Sequence, residues 1–110
     1  MRRRHLLALV PSIAAAQSGR PIRVVVPFGA GGIIDVVARI VAEPMGRLLG
    51  QTMVVENQPG AGSVIGARSV ARAPADGSTL LLSGAAHAVI PALYPDAGVD
   101  PVADFATIAL

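Results

Sequence analysis

The sequence predicts an α/β fold in which a parallel sheet is flanked by helices. Hydrophobic residues make up 53% of the 110 residues and aromatic residues only 3%, so any core must be built from aliphatic side chains. Short β-branched runs alternate along the chain with segments in which apolar residues recur every three or four positions. Continuous aliphatic runs are typical of buried parallel strands, and a chain of this length forms one domain at most.

The first strand is predicted at residues 22–26, a β-branched run that ends at Pro27 and a group of glycines. From Ile34 the apolar period becomes that of a helix, and Gly50 is predicted to end it. Pro44 would delete a backbone hydrogen bond inside this helix, so a kink or an early end is predicted there. The apolar positions are Ile34, Val37, Ala38, Val41, Met45 and Leu48, and the charged positions, four residues apart, are Asp35, Arg39, Glu43 and Arg47.

Two more strand and helix units follow. Residues 52–56 predict a second strand and residues 57–62 a Pro/Gly turn, after which Ser63 is a candidate N-cap for a helix. Residues 78–82 predict a third strand, followed by a small-residue loop at 83–87 and a short helix near 88–93. This alternation predicts right-handed crossovers between parallel strands. Residues 106–110 predict the start of another strand, on which the sequence stops, so a truncated chain is expected.

Residues 1–16 have the three parts of an export signal: a basic start at Arg2, Arg3 and Arg4, an apolar stretch, and small residues at its end. We expect cleavage after Ala16 and a periplasmic protein whose folded part is residues 17–110. The apolar stretch is too short for a stable membrane anchor. A basic N-terminus on a cytoplasmic protein is the alternative, and the arginines also permit the twin-arginine export route.

The basic character of the sequence lies in this leader. Residues 17–110 contain six arginines against seven carboxylates, a formal charge of −1, and the sequence has no lysine. A nucleic-acid-binding domain would need a basic patch, so no nucleic-acid partner is predicted. The absence of cysteine excludes disulfides and thiolate metal sites.

Three loops that follow the predicted strands are candidates for a binding site, because ligands of a parallel sheet lie beyond the carboxyl ends of its strands. They are residues 28–33, 57–63 and 83–87, all rich in Gly, Ala and Ser. Each leads into a helix whose first N–H groups are unpaired and favour an anion, such as a carboxylate or a phosphate. The alternative is that they are ordinary turns between strands and helices.

A nucleotide-binding, NAD-like enzyme domain is the alternative function. Gly29, Gly31 and Gly32 after a strand, with Glu56 ending the next strand, are reminiscent of a dinucleotide fingerprint. The spacing of that fingerprint requires a third glycine where this chain has Ile34.

Residues suited to catalysis are few. His87 is the one imidazole after the leader, and neither Ser63 nor Ser83 lies in a Gly-x-Ser-x-Gly motif. No spacing of metal ligands is visible in the sequence. We therefore predict that the chain is not an enzyme and holds neither a metal nor a cofactor.

Several motifs, in unbroken order from Pro21 to Leu110, match the pattern of one family. They are the segments 27–32, 55–62 and 76–81, together with Asp35, Ala38, Arg39, Gly66, Ala67, Tyr94, Asp100, Pro101, Val102, Asp104 and Phe105. The block Glu-Asn-Gln-Pro-Gly-Ala-Gly at residues 56–62 is the most specific of them. The pattern resembles the Bug receptors, which are the periplasmic substrate-binding proteins of tripartite tricarboxylate transporters.

The resemblance implies the first lobe of a type II periplasmic-binding-protein fold, a Venus flytrap in which two α/β lobes close on a ligand; the second lobe is absent from this chain. It also implies a small carboxylate or amino-acid ligand, the membrane components of the transporter as partners, and no cofactor. The residues that it implies around the ligand are Phe28, Gly29, Ala30, Gly31, Gly32, Ile33, Asn57, Ser63, Ser83, Gly84, Ala85 and His87.

The chain also departs from the family pattern. Gly29 stands where the family usually has Pro, and Pro44 interrupts the first helix. Ile33 and Ile34 replace a Gly and a small polar residue. Because the isoleucines add bulk and remove a hydroxyl at the rim of the expected pocket, the resemblance does not fix which acid is bound.

Overall fold

The computed structural model describes residues 19–110, and the predicted signal peptide at residues 1–16 lies outside this range. The strands are β1 (Ile22–Val26), β2 (Met53–Asn57) and β3 (Thr79–Leu81). The helices are α1 (Ile33–Leu49), α2 (Val64–Ala71), α3 (Ala85–Ala88) and α4 (Ile90–Leu93), with a 3₁₀ turn (Ala61–Ser63) directly before α2. Among residues 19–110, no helix has the length and apolar character needed to cross a bilayer.

The strands form one parallel sheet in the order β2-β1-β3, so β1 is central. Val24 of β1 lies beside Val55 of β2 and Leu80 of β3. Val25 and Val26 have no exposed surface, as expected for the middle strand of a parallel sheet. The predicted fold class, a parallel sheet flanked by helices, is confirmed.

The contact of α1 with the sheet is made by small residues. Ala38, Ala42 and Gly46 are buried, and α1 contacts both β1 and β2. Of the predicted apolar positions, Val37 and Leu48 are exposed. The buried face shares Ala38 with the predicted one but is shifted around the helix toward Ala42 and Gly46, because small side chains allow a closer approach to the strands.

Of the two outcomes predicted at Pro44, a kink or an early end, the early end is wrong, since the helix continues to Leu49. Ala42 and Gly46, on either side of the proline, are both buried, and their packing keeps this segment helical despite the lost hydrogen bond. The predicted end at Gly50 is confirmed: this residue adopts a left-handed conformation with φ 66°, which glycine accepts without strain.

The charged residues of α1 form the predicted pairs four residues apart. Arg39 lies 3.1 Å from a carboxylate oxygen of Asp35, and Arg47 lies 3.3 Å from one of Glu43. The two pairs differ in environment. Glu43 and Arg47 are exposed, whereas the side chain of Asp35 is buried beneath the start of the helix.

A cluster of buried aliphatic residues lies between α2, α4 and the chain that follows. Its members are Val64, Ala67, Ile90 and Ala97, with Leu81, Val99 and Phe105 packed against them. Arg68 of α2 donates its Nε–H to the carbonyl of Ala97 at 2.8 Å. This bond fixes the chain after α4 against α2.

Several predicted bounds are corrected by the structure. β2 is displaced by one residue because its ladder extends to Asn57, which pairs with Val26. β3 is shorter than predicted, and the predicted loop at 83–87 ends at Gly84, where the alanine-rich segment begins the short helix α3. The expected strand at 106–110 is wrong: these residues are exposed and pair with no strand of the described chain.

Candidate functional site

The three predicted loops lie at one edge of the sheet. They follow the carboxyl ends of parallel strands. Two of them are tied to β1 near their start: Gln58, in the second loop, and Leu82, directly before the third, donate their N–H groups to the carbonyls of Val26 and Val25, both at 2.9 Å. The helix α3 contacts the 3₁₀ turn Ala61–Ser63. The loops therefore surround a common region, as the sequence argument requires.

The first and third loops also touch through a side chain. A Cβ atom placed on Gly84 would lie 3.3 Å from Cδ1 of Ile34. Ile34 thus fills part of the space between the start of α1 and the loop after β3. Ile33, the neighbouring residue, has 79% of its surface exposed, so its side chain forms an apolar rim beside the first loop.

The first loop presents unpaired backbone donors at the start of α1. Gly29, Ala30 and Gly32 are exposed and Phe28 is half-buried. The helix has no side-chain cap, and its first backbone bond runs from Val36 N–H to the carbonyl of Gly32 at 3.0 Å. The N–H groups of residues 33–35 therefore have no partner within the helix. They carry partial positive charge and can donate to an anion.

Gly31 differs from its neighbours, because its N–H is already used. It donates to Oδ2 of Asp35 at 2.9 Å, and its own φ is 89°. Gly31 is one of the residues expected around the ligand, and a direct bond from its N–H to that ligand would require the bond to Asp35 to break. Its observed role is to set the path of the loop.

Asp35 is the centre of a hydrogen-bond network that the sequence did not reveal. Its side chain is 3% exposed and accepts from Nε of Arg39 at 3.1 Å, from Gly31 N–H at 2.9 Å and from Nδ2 of Asn57 at 2.9 Å. The bond from Arg39, followed by those from Gly31 and Asn57, lowers the pKa of Asp35 to about 2. The carboxylate is thus ionised at neutral pH although it is buried.

Asn57, predicted as a ligand-binding residue, donates both of its Nδ2 protons to the protein. Besides Asp35, its Nδ2 donates to the carbonyl of Phe28 at 3.1 Å, and its Oδ1 accepts from Nη2 of Arg39 at 3.1 Å. A bond donated from Nδ2 to a ligand would have to replace one of these bonds. The residue lies at the predicted edge but holds the first loop in place.

Ser63 occupies the predicted N-cap position of α2, yet its side chain makes no capping bond. Its φ is 82°, whereas a capping serine needs an extended conformation to reach the N–H groups of the first turn. The residue is 1% exposed, and its hydroxyl has no hydrogen-bond partner among the described residues. The expected cap is therefore corrected to a buried, unpartnered hydroxyl beside α3.

Ser83 and His87 add two more polar atoms of this kind. Ser83 Oγ and His87 Nδ1 are buried without a partner in residues 19–110. His87 Nε2 lies 3.3 Å from the carbonyl of Pro101, and its ring meets the edge of Phe105 at a centroid distance of 5.0 Å. Because a carbonyl accepts only from a protonated nitrogen, this contact favours the Nε2–H tautomer and leaves Nδ1 as an acceptor.

The edge therefore carries two hydroxyl donors, Ser63 and Ser83, and one acceptor, Nδ1 of His87, rather than charged groups. Three of the four predicted polar side chains, Ser63, Ser83 and His87, carry buried atoms that need a partner, and buried polar groups in proteins are almost always satisfied. Hydroxyls and helix amides are suited to hold a carboxylate together with ordered water. A separate groove of about 740 Å³ between α1 and β2 is lined by none of the predicted site residues.

Comparison with known proteins identifies the family of the chain. The family described as the tripartite tricarboxylate transporter family receptor matches residues 37–110. A UPF0065 protein of Agrobacterium vitis is 43% identical over 105 residues, which cover 93% of this chain and 30% of that protein. The chain thus spans less than a third of the length of this relative.

Solved structures give the same result. The periplasmic binding protein BugD is 49% identical with a TM-score of 0.74, over 77% of this chain and 28% of that one. MatC from Rhodopseudomonas palustris, whose structure holds bound malate, is 41% identical with a TM-score of 0.70, over 77% of this chain and 29% of that one. The chain therefore has the fold of the corresponding part of periplasmic binding proteins.

Proposed function

Because the chain belongs to the receptor family of the tripartite tricarboxylate transporters, we propose that it supplies one face of the ligand site of an exported receptor. The receptor binds a small carboxylate and delivers it to the membrane components of such a transporter. The predicted signal at residues 1–16 would direct it to the periplasm.

One observation carries the proposal: unpartnered donors of two kinds belong to the loops and helix starts at one edge of the sheet. The start of α1 has uncapped N–H groups, and the hydroxyls of Ser63 and Ser83 are buried without partners among the described residues. Either feature alone would be weak. Together the N–H groups and the hydroxyls can donate several hydrogen bonds to one ligand. A carboxylate suits them because its two oxygens offer about four acceptor positions.

A carboxylate is favoured over a nucleotide by the surroundings of the same loops. The malate bound to MatC, a structure 41% identical to this chain, supports a ligand of that class. Glu56, which a dinucleotide site would use for a ribose, is instead paired with Arg23 at 2.7 Å. The hydrogen bond from the Arg23 guanidinium also lowers the pKa of Glu56. The carboxylate of Glu56 is therefore engaged by an arginine of β1 and not left free for a ribose.

Titration of the isotope-labelled chain with malate, followed by NMR, tests the proposal. We expect the amide signals of residues 33–35 and 83–85 to move with ligand concentration, whereas the signals of β1 stay in place. Ser83→Ala should weaken binding by at least about tenfold, since a hydrogen bond to a charged group is worth about 1.5–3 kcal/mol.

The matched control is Ser78→Ala. Ser78 precedes β3 at the opposite end of the strand from Ser83, and its hydroxyl is bonded to Asp76 in an exposed turn. This variant should bind malate as the parent chain does. Signals that respond to NAD and to no carboxylate, or equal weakening in both variants, would contradict the assignment.

A further inference from the structure

The loop 28–32 has little support from packing. Gly29 and Gly31 have no atom within 4 Å of the position that a Cβ would occupy, and both are exposed. Gly31 has φ 89°, and glycine adopts positive φ values about as readily as negative ones, so its own conformational preference does not hold it there. A loop with three glycines and few buried contacts is expected to be mobile unless hydrogen bonds restrain it.

Two hydrogen bonds supply that restraint, one near each end of the loop. Nδ2 of Asn57 holds the carbonyl of Phe28 at 3.1 Å, and Oδ2 of Asp35 holds the N–H of Gly31 at 2.9 Å. The two restraining side chains are also bonded to each other at 2.9 Å. The loop is therefore fixed to a single support rather than to two independent ones.

Arg39 completes this support. Its Nε lies 3.1 Å from both carboxylate oxygens of Asp35, and its Nη2 donates to Oδ1 of Asn57 at 3.1 Å. The guanidinium supplies the charge that a buried carboxylate needs, and it fixes the orientation of the asparagine amide. Each of the three side chains is thus bonded to the other two.

We propose that Asp35, Arg39 and Asn57 are positioning residues that hold the loop 28–32 in its ligand-binding conformation without touching the ligand themselves. The inference rests on the proposed function for the part that concerns affinity. A binding loop that is already ordered loses less conformational freedom when the ligand arrives. Removal of the support should therefore weaken binding through the loop, while the sheet stays folded.

The experiment compares Asp35→Asn with Glu43→Gln in the full chain. Both changes remove a carboxylate that pairs with an arginine four residues later on α1, but the Glu43–Arg47 pair is exposed and contacts no part of the loop. In Asp35→Asn, one acceptor oxygen becomes an N–H₂ group that faces the donors of Gly31 and Arg39. Glu43→Gln is thus a matched control: it makes the same change from carboxylate to amide, on the same helix, in an ion pair of the same spacing.

Two measurements are made on each variant. The ¹⁵N order parameters of the ligand-free loop should fall below about 0.6 in Asp35→Asn while those of β1 remain near 0.85. The Kd for malate should rise about tenfold, as expected when a residue of the loop must be ordered again on binding. Glu43→Gln should change neither value. A variant that keeps its order parameters in the loop, or equal effects in both variants, would overturn the proposal.

Asn57→Ala gives a second test should Asp35→Asn unfold. It keeps the Asp35–Arg39 pair and removes the bond to the Phe28 carbonyl, so increased motion is expected at residues 28–30 first. An unchanged loop in this variant also overturns the proposal. If the parent chain binds no malate, the proposed function fails, but the order parameters still decide whether these residues position the loop.

Discussion

Gly66 of α2 is a position at which a single added methyl group should destabilise the fold. An alanine Cβ there would lie 2.6 Å from Cβ of Pro27, 2.9 Å from its Cα and 3.0 Å from the carbonyl oxygen of Gln58. Favourable separations between non-bonded carbons are about 3.5–4.0 Å. Pro27 is fully buried and has no free space to move into. The other neighbour, the carbonyl oxygen of Gln58, belongs to the backbone. The helix must shift, or the first loop must move with Pro27.

Two opposing effects set the size of the change. Replacing glycine by alanine inside a helix favours folding by about 1 kcal/mol. Overpacking of a rigid neighbour costs about 1–3 kcal/mol, and three contacts with a buried ring and backbone argue for the upper half of that range. Gly66→Ala should therefore lower the free energy of unfolding by about 1–2 kcal/mol, which corresponds to a fall in Tm of roughly 5–15 °C for a domain of this size.

Thermal unfolding followed by circular dichroism measures this change. The control is Gly29→Ala, because a Cβ at Gly29 meets nothing within 4 Å and its φ is not in the left-handed region. That variant should keep its Tm or gain slightly from a stiffer unfolded chain. A Gly66→Ala chain as stable as the parent, or more stable, would refute the packing argument.

Gly46→Ala should also destabilise the chain, by up to about 2 kcal/mol in a urea titration, because its Cβ would lie 2.7 Å from the carbonyl oxygen of Gln51 and the overpacking exceeds the gain from alanine in a helix. Acid should destabilise the folded chain between about pH 4 and pH 2: the pKa of Asp35 is lowered to about 2, so its stabilisation is complete above the unfolded value near 3.9 and is lost as the pH falls through 2. When the urea midpoint is measured as a function of pH, Asp35→Asn should lack this contribution to the fall between about pH 4 and pH 2. Glu56→Gln should change the free energy of unfolding by less than about 1 kcal/mol, since its ion pair with Arg23 is nearly half exposed.

The strands and the end of α1 could be predicted because local chemistry decides them. The β-branched run of β1 lies between two prolines, and a glycine in the left-handed conformation ends α1 at Gly50. The face by which α1 packs could not be predicted, since apolar residues occur on more than one side of the helix. Close approach to the strands selects Ala38, Ala42 and Gly46, and that choice depends on the distance between helix and sheet rather than on hydropathy.

The site shows the same division. Loop positions follow from the order of strands, so the sequence predicted the edge where Ser63, Ser83 and His87 lie. The support formed by Asp35 and Asn57 depends on β2 pairing in register with β1, which places Asn57 beside Val26. One signal was available: an aspartate in the first turn of a helix that follows glycines, and an asparagine that ends the next strand. Only the sheet order brings the two together.

Ser63 has two features that oppose folding. A non-glycine residue at φ 82° is strained by about 1–3 kcal/mol, and a buried hydroxyl without a partner among the described residues costs about 1–3 kcal/mol. Ala61, two residues earlier, is also in the left-handed region, with φ 47°, but is exposed and carries no polar group. The folded chain should be more stable with glycine at either position, so stability alone does not explain why residue 63 is a serine.

Ligand binding accounts for the serine at position 63 if its hydroxyl forms a hydrogen bond to the ligand or to a water molecule bound to the ligand. Ser63→Gly should then raise the midpoint of urea unfolding and weaken malate binding about tenfold, because it relieves the strain and removes the donor together. Ala61→Gly should raise the midpoint and leave the Kd unchanged. Calorimetric titration of both variants separates the two contributions. A Ser63→Gly chain that binds malate as tightly as the parent would mean that this hydroxyl lies outside the site, and the strain at Ser63 would then belong to the turn alone.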